Sequence, residues 1–210
     1  MCDSRTLDVI CACFYARPME RTWRGIVFIA TSMDGFIARR DADIDWLTEP
    51  ETGVGHQGAT GPEHVGSFEA LLERVDHMVM GRGTYDKVSS FETWPYGALP
   101  VMVLSSSMSD DVDERVRVVR SVDQACGALN AEGARSVYID GGLTVQSFIK
   151  ADLVDELTVT RAPVLIGDGI PLFGPLEHDV ILALRAAQAD ASGFVHCRYE
   201  VLRLPIDSAP

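Results

Sequence analysis

At 210 residues, with 47% apolar and 23% charged side chains, the chain can build one sizeable core and is too ordinary in composition for extended disorder. Its 31 acidic against 18 basic residues give a formal charge of −13, which repels phosphate backbones and anionic lipid and excludes nucleic acid and membrane surfaces as default partners. No apolar run is long enough to span a bilayer, and the stretch Val9–Tyr15, preceded by Asp3 and Asp8, lacks the basic start of a secretory leader. Residues 1–23 therefore read as a poorly ordered N-terminal extension, residues 24–205 as a single domain, and the cytoplasm as its expected location.

Gly25–Ala30 is a β-branched apolar run and predicts a buried strand. Asp34-Gly35 is a turn signal, with a short strand expected over Phe36–Arg40. Residues 41–61 read as a long polar loop with Trp46 embedded in it. Apolar spacing predicts a helix over Val65–Arg74, then a buried strand at Met78–Met80 ended by Gly81, and a short helix over Thr84–Ser89. Strands follow at Val101–Leu104 and Val116–Val119, and Ser121 is placed to cap a helix running to Asn130. Ser136–Ile139 is a fifth strand, Leu143–Ala151 a helix and Glu156–Thr160 a sixth strand. Val180–Leu184 and Phe194–Leu202 read as a closing antiparallel pair. Repeated strand–turn–helix order predicts an α/β fold with a mostly parallel central sheet flanked by helices and an antiparallel C-terminal edge.

Three strand ends share one design: Gly81-Arg82-Gly83-Thr84, Leu104-Ser105-Ser106-Ser107 and Asp140-Gly141-Gly142. Ligands of open α/β sheets bind outside the carboxyl ends of the strands, where glycine admits close backbone approach and helix N-termini favour anions. Arg82 offers a planar fork to a phosphate, with serine hydroxyls beside it. Neither the Rossmann G-x-G-x-x-G nor a Walker A sequence is present, nor the signatures of serine hydrolases, zinc proteases or zinc deaminases. Five cysteines form no disulfide framework; Cys126 and Cys197 read as buried free thiols, and no metal site is expected.

Met78–Tyr85, Val103–Ser106, Val118–Val122 and Tyr138–Gly142 together resemble the corresponding segments of dihydrofolate reductases. Thr31–Ala38, Leu153–Leu157 and Ala162–Gly169 look like the riboflavin-biosynthesis reductase branch of that superfamily. The resemblance spans about residues 24–203 and implies the dihydrofolate reductase-like fold, an NADPH cofactor and, as is common among relatives, a homodimer. It implies that Arg82, Thr84, Ser105 and Ser106, next to Leu104, hold the adenosine 2′-phosphate and ribose. Gly81, Gly83, Gly141, Gly142, Leu143, Thr144 and Val145 would cradle the pyrophosphate, a cis peptide joining the paired glycines in the family. Ala30 and Ile37 would flank the nicotinamide, with Asp34 and Gly35 on the substrate side and Trp46, Trp94 and Tyr96 near the pocket.

Two departures qualify that picture. Asp140 stands where folate reductases usually have another glycine. The acidic residue that faces the pterin in those enzymes has its counterpart at Val65, which makes folate the lesser expectation. The reading is thus an NADPH-dependent reductase of a small heterocyclic or conjugated substrate, with Asp34 as the candidate proton donor. Its rivals are a reductase of the ribosylaminopyrimidine of riboflavin synthesis, dihydrofolate reductase itself, and a non-catalytic NADPH-binding sensor.

Overall fold

The computed structural model describes residues 21–48 and 65–203. Its elements are β1 (Arg24–Thr31), β2 (Phe36–Ala38), α1 (Asp45–Thr48), α2 (Phe68–Arg74), β3 (His77–Gly81), α3 (Arg82–Val88), β4 (Val101–Leu104) and β5 (Val116–Val119). They continue with α4 (Val122–Ala131), β6 (Ser136–Asp140), α5 (Gly142–Lys150), β7 (Glu156–Arg161), β8 (Ile170–Pro171), β9 (Ile181–Ala189) and β10 (Val195–Leu202). Eight strands form one sheet in the order β5-β4-β3-β6-β1-β7-β10-β9, and β2 pairs with β8 in a small ribbon beside it. The strands from β5 to β7 run parallel, and β10 and β9 extend that edge antiparallel, as the order of apolar runs predicts.

Burial explains this layout. The central strand β3 is apolar without alternation because both its faces are covered. On one face α4 and α5 close over Val27, Val79, Ile139 and Leu157, contributing Leu129, Val145 and Phe148. On the other, Leu71 of α2 and Tyr85 and Val88 of α3 pack with Ile26, Met78, Met80, Val103 and Tyr138. Past β7 no helix follows among the described residues, and Leu182, Leu184 and Val195 of the final hairpin stay exposed.

Several boundaries differ from those read off the sequence. Arg21 and Trp23, assigned to the extension, belong to the fold: Trp23 is buried against Phe148, and Arg21 pairs with Asp155 at 2.7 Å. Residues 1–20 lie outside the described residues. The helix expected from Val65 starts at Phe68, since Ser67 takes an extended backbone and accepts the Ala70 N–H. Helix α3 starts two residues earlier than predicted, which makes Arg82 its first residue. Strand β9 runs on to Ala189 because ladder bonds to β10 carry a segment, Arg185–Ala189, whose own β-propensity is poor. Trp46 sits on α1 rather than in a loop, buried with Ala162 and Phe194. Cys126 is buried as expected, whereas Cys197 is only half-buried, being on the uncovered hairpin. Among the described residues no helix is long and apolar enough to cross a membrane.

Candidate active site

The three strand ends singled out from the sequence do meet. Strands β4, β3 and β6 are neighbours, so Leu104, Gly81 and Asp140 end side by side along one edge. Two helices start from that edge. Gly81 precedes α3 and Gly141 precedes α5, and neither N-cap has a side chain to bond the first N–H groups. The two starts interlock: a Cβ on Gly81 would meet Thr144 Oγ1 at 2.7 Å, and one on Gly141 would meet Thr84 Oγ1 at 2.6 Å. Glycine is thus required for the approach of the two helix ends, and at Gly141 also for its φ of +90°.

At α5 the Gly142, Leu143 and Thr144 N–H groups are the first three of the helix and have no carbonyl four residues back within it. Val145 drops out of the expected cradle, because its N–H already bonds Gly141 O at 2.8 Å and its side chain is buried. No peptide bond among the described residues is cis, the Gly141–Gly142 bond included, contrary to the expectation from the resemblance. Ile37 lies against this corner: its Cδ1 is 3.0 Å from where a Gly142 Cβ would sit. On the β4 side, Ser106 is exposed, whereas the Ser105 oxygen accepts the Met108 N–H at 3.2 Å and holds its own loop. Arg82 is exposed, its Nε donating to Asp86 at 2.9 Å.

Sequence reasoning passed over Arg120, which follows β5 directly. Its Nη1 donates to Ser105 O at 2.9 Å and to Met108 O at 2.6 Å, bracing the serine loop beside Arg82. The signal was available: the same strand-end logic applied to Val116–Val119 points at Arg120.

Asp34 does not stand as a free acid. Its carboxylate accepts the Ser32 hydroxyl at 2.5 Å and the Gly167 N–H at 2.7 Å. The Ser32 bond first, then those of Gly167 and Ile166, hold it below the usual carboxylate range, so it ties the turn Asp34-Gly35 to the loop after β7. Trp46 faces Ala162 and Phe194 rather than the strand-end crevice. Trp94 and Tyr96 pack instead with the core on the α2 side, edge-on to each other at 5.2 Å, and Tyr96 meets Phe68 of α2.

The acid of this crevice is Asp140. It follows Tyr138 by two residues on β6, which puts both side chains on the α2 face. Burial pushes its carboxyl up to about 6, against the opposite pull of the Gly141 N–H. Tyr138 in turn donates to Phe28 O at 2.9 Å, and burial first, then the nearby Asp140, raises the phenol of Tyr96, which marks the three as one cluster. Helix α2 brings no acid here, since Phe68, Leu71 and Leu72 face the sheet and Glu69 and Glu73 are exposed. Val65, which stands where the folate reductases have an acid, is buried ahead of the helix. The doubt attached to Asp140 thus resolves: strand alternation sets its side chain on the α2 face with Tyr138, opposite Ile139.

This order of strands, with glycine-started helices at β3 and β6, is the arrangement of a known family, and residues 24–196 match it as the RibD C-terminal domain. The chain belongs to that family. A Shewanella sp. PV-4 protein named for riboflavin biosynthesis has a solved structure that superposes with a TM-score of 0.72 at 39% identity, covering 86% of this chain and 99% of that one. YwjB of Bacillus subtilis is 34% identical over 173 residues, 81% of this chain and 92% of its own length. The fold recurs at 13% identity and a TM-score of 0.61 in a diaminohydroxyphosphoribosylaminopyrimidine deaminase/5-amino-6-(5-phosphoribosylamino)uracil reductase of Thermotoga maritima. There 86% of this chain spans 57% of that one.

Proposed function

We propose that the protein is a reductase of the riboflavin-pathway type that uses NADPH and acts on a small heterocycle held over β1 and β6. The observation that carries this is the junction of β6 and α5, where a carboxyl held near neutrality stands directly before a helix start with three N–H groups to offer. A dinucleotide needs the second feature and proton-coupled reduction needs the first. Gly142, Leu143 and Thr144, with Arg82, Gly83 and Thr84 at the neighbouring helix start, would hold the pyrophosphate through backbone N–H groups. Arg82, Ser106 and Arg120 would take the 2′-phosphate against the chain's overall negative charge. When bound, NADPH supplies the hydride. The protein's own part is to position the ring over Ala30 and Phe28 and to deliver a proton. Asp140 takes the proton-donating role first given to Asp34, because a carboxyl near 6 is partly protonated at neutral pH whereas a lowered one is not. A cytoplasmic location agrees with the buried free thiol of Cys126.

The test is NADPH oxidation against pyrimidine, pterin and quinone acceptors, with Asp140→Asn beside the wild type. Turnover should fall at least about a hundredfold while NADPH affinity holds. The wild-type rate should decline as pH rises through about 6, and this limb should vanish in the variant. Stability follows pH in the same direction. Because the folded pKa is raised, the folded state gains from the proton below the ordinary carboxylate range and loses that gain as pH rises through about 6. Asparagine does not titrate, so the variant should melt higher than the wild type at pH 8, and the gap should close in acid. A wild type that binds no NADPH would end the reductase reading.

A further inference from the structure

The substrate face carries a second polar chain that neither the cofactor site nor Asp140 uses. Ala30 on β1 pairs with Thr160 on β7, and Thr160 pairs with His196 on β10, so the three stand in one cross-strand row. Leu157 and Val159 of β7 point into the core beneath α4 and α5, which sets Thr160 and His196 on the opposite face, with Phe28 and Tyr138. The His196 ring bridges two partners. Nε2 lies 3.2 Å from Asp190 Oδ2, and Nδ1 lies 2.8 Å from Thr160 Oγ1.

Asp190 cannot turn away. Its Oδ1 accepts the Ser192 N–H at 2.8 Å and the Phe194 N–H at 3.1 Å, within the tight turn between β9 and β10. Burial raises its carboxyl, but the bonds from His196, Phe194 and Ser192 outweigh this and hold it below the usual range. An ionised carboxylate only accepts, so Nε2 carries the hydrogen. In a neutral imidazole Nδ1 is then bare, and the Thr160 hydroxyl, with its single hydrogen, must donate to it. What Thr160 has left for the crevice is lone pairs.

We propose that Asp190 and His196 are positioning residues that fix the Thr160 hydroxyl as an acceptor, so that this edge of the crevice selects substrates presenting an N–H or amino group. The substrate half of this rests on the reductase reading; the polarity at Thr160 follows from the protein alone. A ligand whose matching edge has only acceptors leaves two sets of lone pairs facing each other in a nearly buried place, since Thr160 is 8% exposed.

The experiment is done at pH 8, with and without NADP+. Imidazole 15N shifts of His196 report which nitrogen holds the hydrogen, and calorimetry compares 2,4-diaminopyrimidine with 2,4-dimethoxypyrimidine. The wild type should show the hydrogen on Nε2 and favour the diamine by about ten- to hundredfold. In Asp190→Asn the amide oxygen stays under the two backbone N–H groups and its NH2 faces Nε2. The hydrogen then moves to Nδ1, which frees the Thr160 hydroxyl to donate, and the preference should shrink by about tenfold or invert. Thr160→Val should abolish the preference and Thr160→Ser should keep it, which decides the matter even if the turn variant folds poorly. A wild-type hydrogen on Nδ1, or a preference untouched in Thr160→Val, would overturn the proposal. Absence of NADP+ binding alongside the expected shifts would instead sink the reductase reading and leave the hydrogen-bond chain standing.

Discussion

Four helices of this fold start in two different ways. Helices α2 and α4 begin behind serines: Ser67 Oγ accepts the Ala70 N–H at 3.3 Å, and Ser121 Oγ accepts the Gln124 N–H at 3.1 Å. Helices α3 and α5 begin behind Gly81 and Gly141, which offer no such bond. A serine cap is worth about 1 kcal/mol, so the second pair forgoes stability that the first pair takes. The difference follows position: both glycine-started helices open onto the strand-end crevice. Backbone donors left open where a ligand arrives, and closed elsewhere, are what an anion site built from helix ends requires.

The largest effect should come from closing one open start. Gly141 and Gly133 share a positive φ, +90° and +71°, but a Cβ at Gly141 would lie 2.6 Å from Thr84 Oγ1 while Gly133 has nothing within 4 Å. Replacing either with alanine costs about 1–2 kcal/mol for the backbone alone. Gly141→Ala adds an overpacking cost of about 1–3 kcal/mol and pushes the two helix ends apart. Urea unfolding should therefore rank it well below Gly133→Ala, and NADPH titration should show at least about a tenfold loss in Gly141→Ala alone. Equal losses in both variants, with NADPH affinity intact, would break the link between open starts and cofactor.

A smaller and more selective effect belongs to Arg82. Its pair with Asp86 lies on the surface, so Arg82→Ala should leave stability within about 1 kcal/mol. A charge-assisted contact to the 2′-phosphate is worth about 1.5–3 kcal/mol, or about ten- to hundredfold in NADPH affinity. NADH, which lacks that phosphate, should bind the variant as it binds the wild type. The same loss for both cofactors would move Arg82 out of the 2′-phosphate site.

What the sequence could disclose divides along the same line. The parallel order of β5 to β7 was legible because short apolar runs such as Met78–Met80 and Val101–Leu104 alternate with helical segments, and Ser121 announced α4 by its own chemistry. The glycine ends were legible as a set. Asp140 was visible as an oddity, but its direction was not, because only the alternation set by Tyr138 on a formed strand turns it to the α2 face. Asp34 misled for the reverse reason: an Asp-Gly turn gives no hint that Gly167, 132 positions on from Gly35, bonds its carboxylate. The chain Asp190–His196–Thr160 was out of reach, since a strand pairing and a turn bring it together from two distant segments. Long-range pairing decides such sites, and local pattern carries little of it.

The least effect should come from opening a closed start. Ser121→Ala removes the side-chain acceptor of α4 and should cost about 1 kcal/mol, read as a shift in urea midpoint. The loss is bounded because Gln124 Oε1 still accepts the Arg120 N–H at 2.6 Å and holds the chain entering the helix. Arg120 also braces the serine loop, so this helix start is the one closed end that touches the crevice indirectly. If closed starts serve stability alone, NADPH affinity should stay within about twofold of the wild type. A tenfold loss would mean that the cap holds Arg120 at the phosphate, and that helix α4 belongs with the ligand-facing pair.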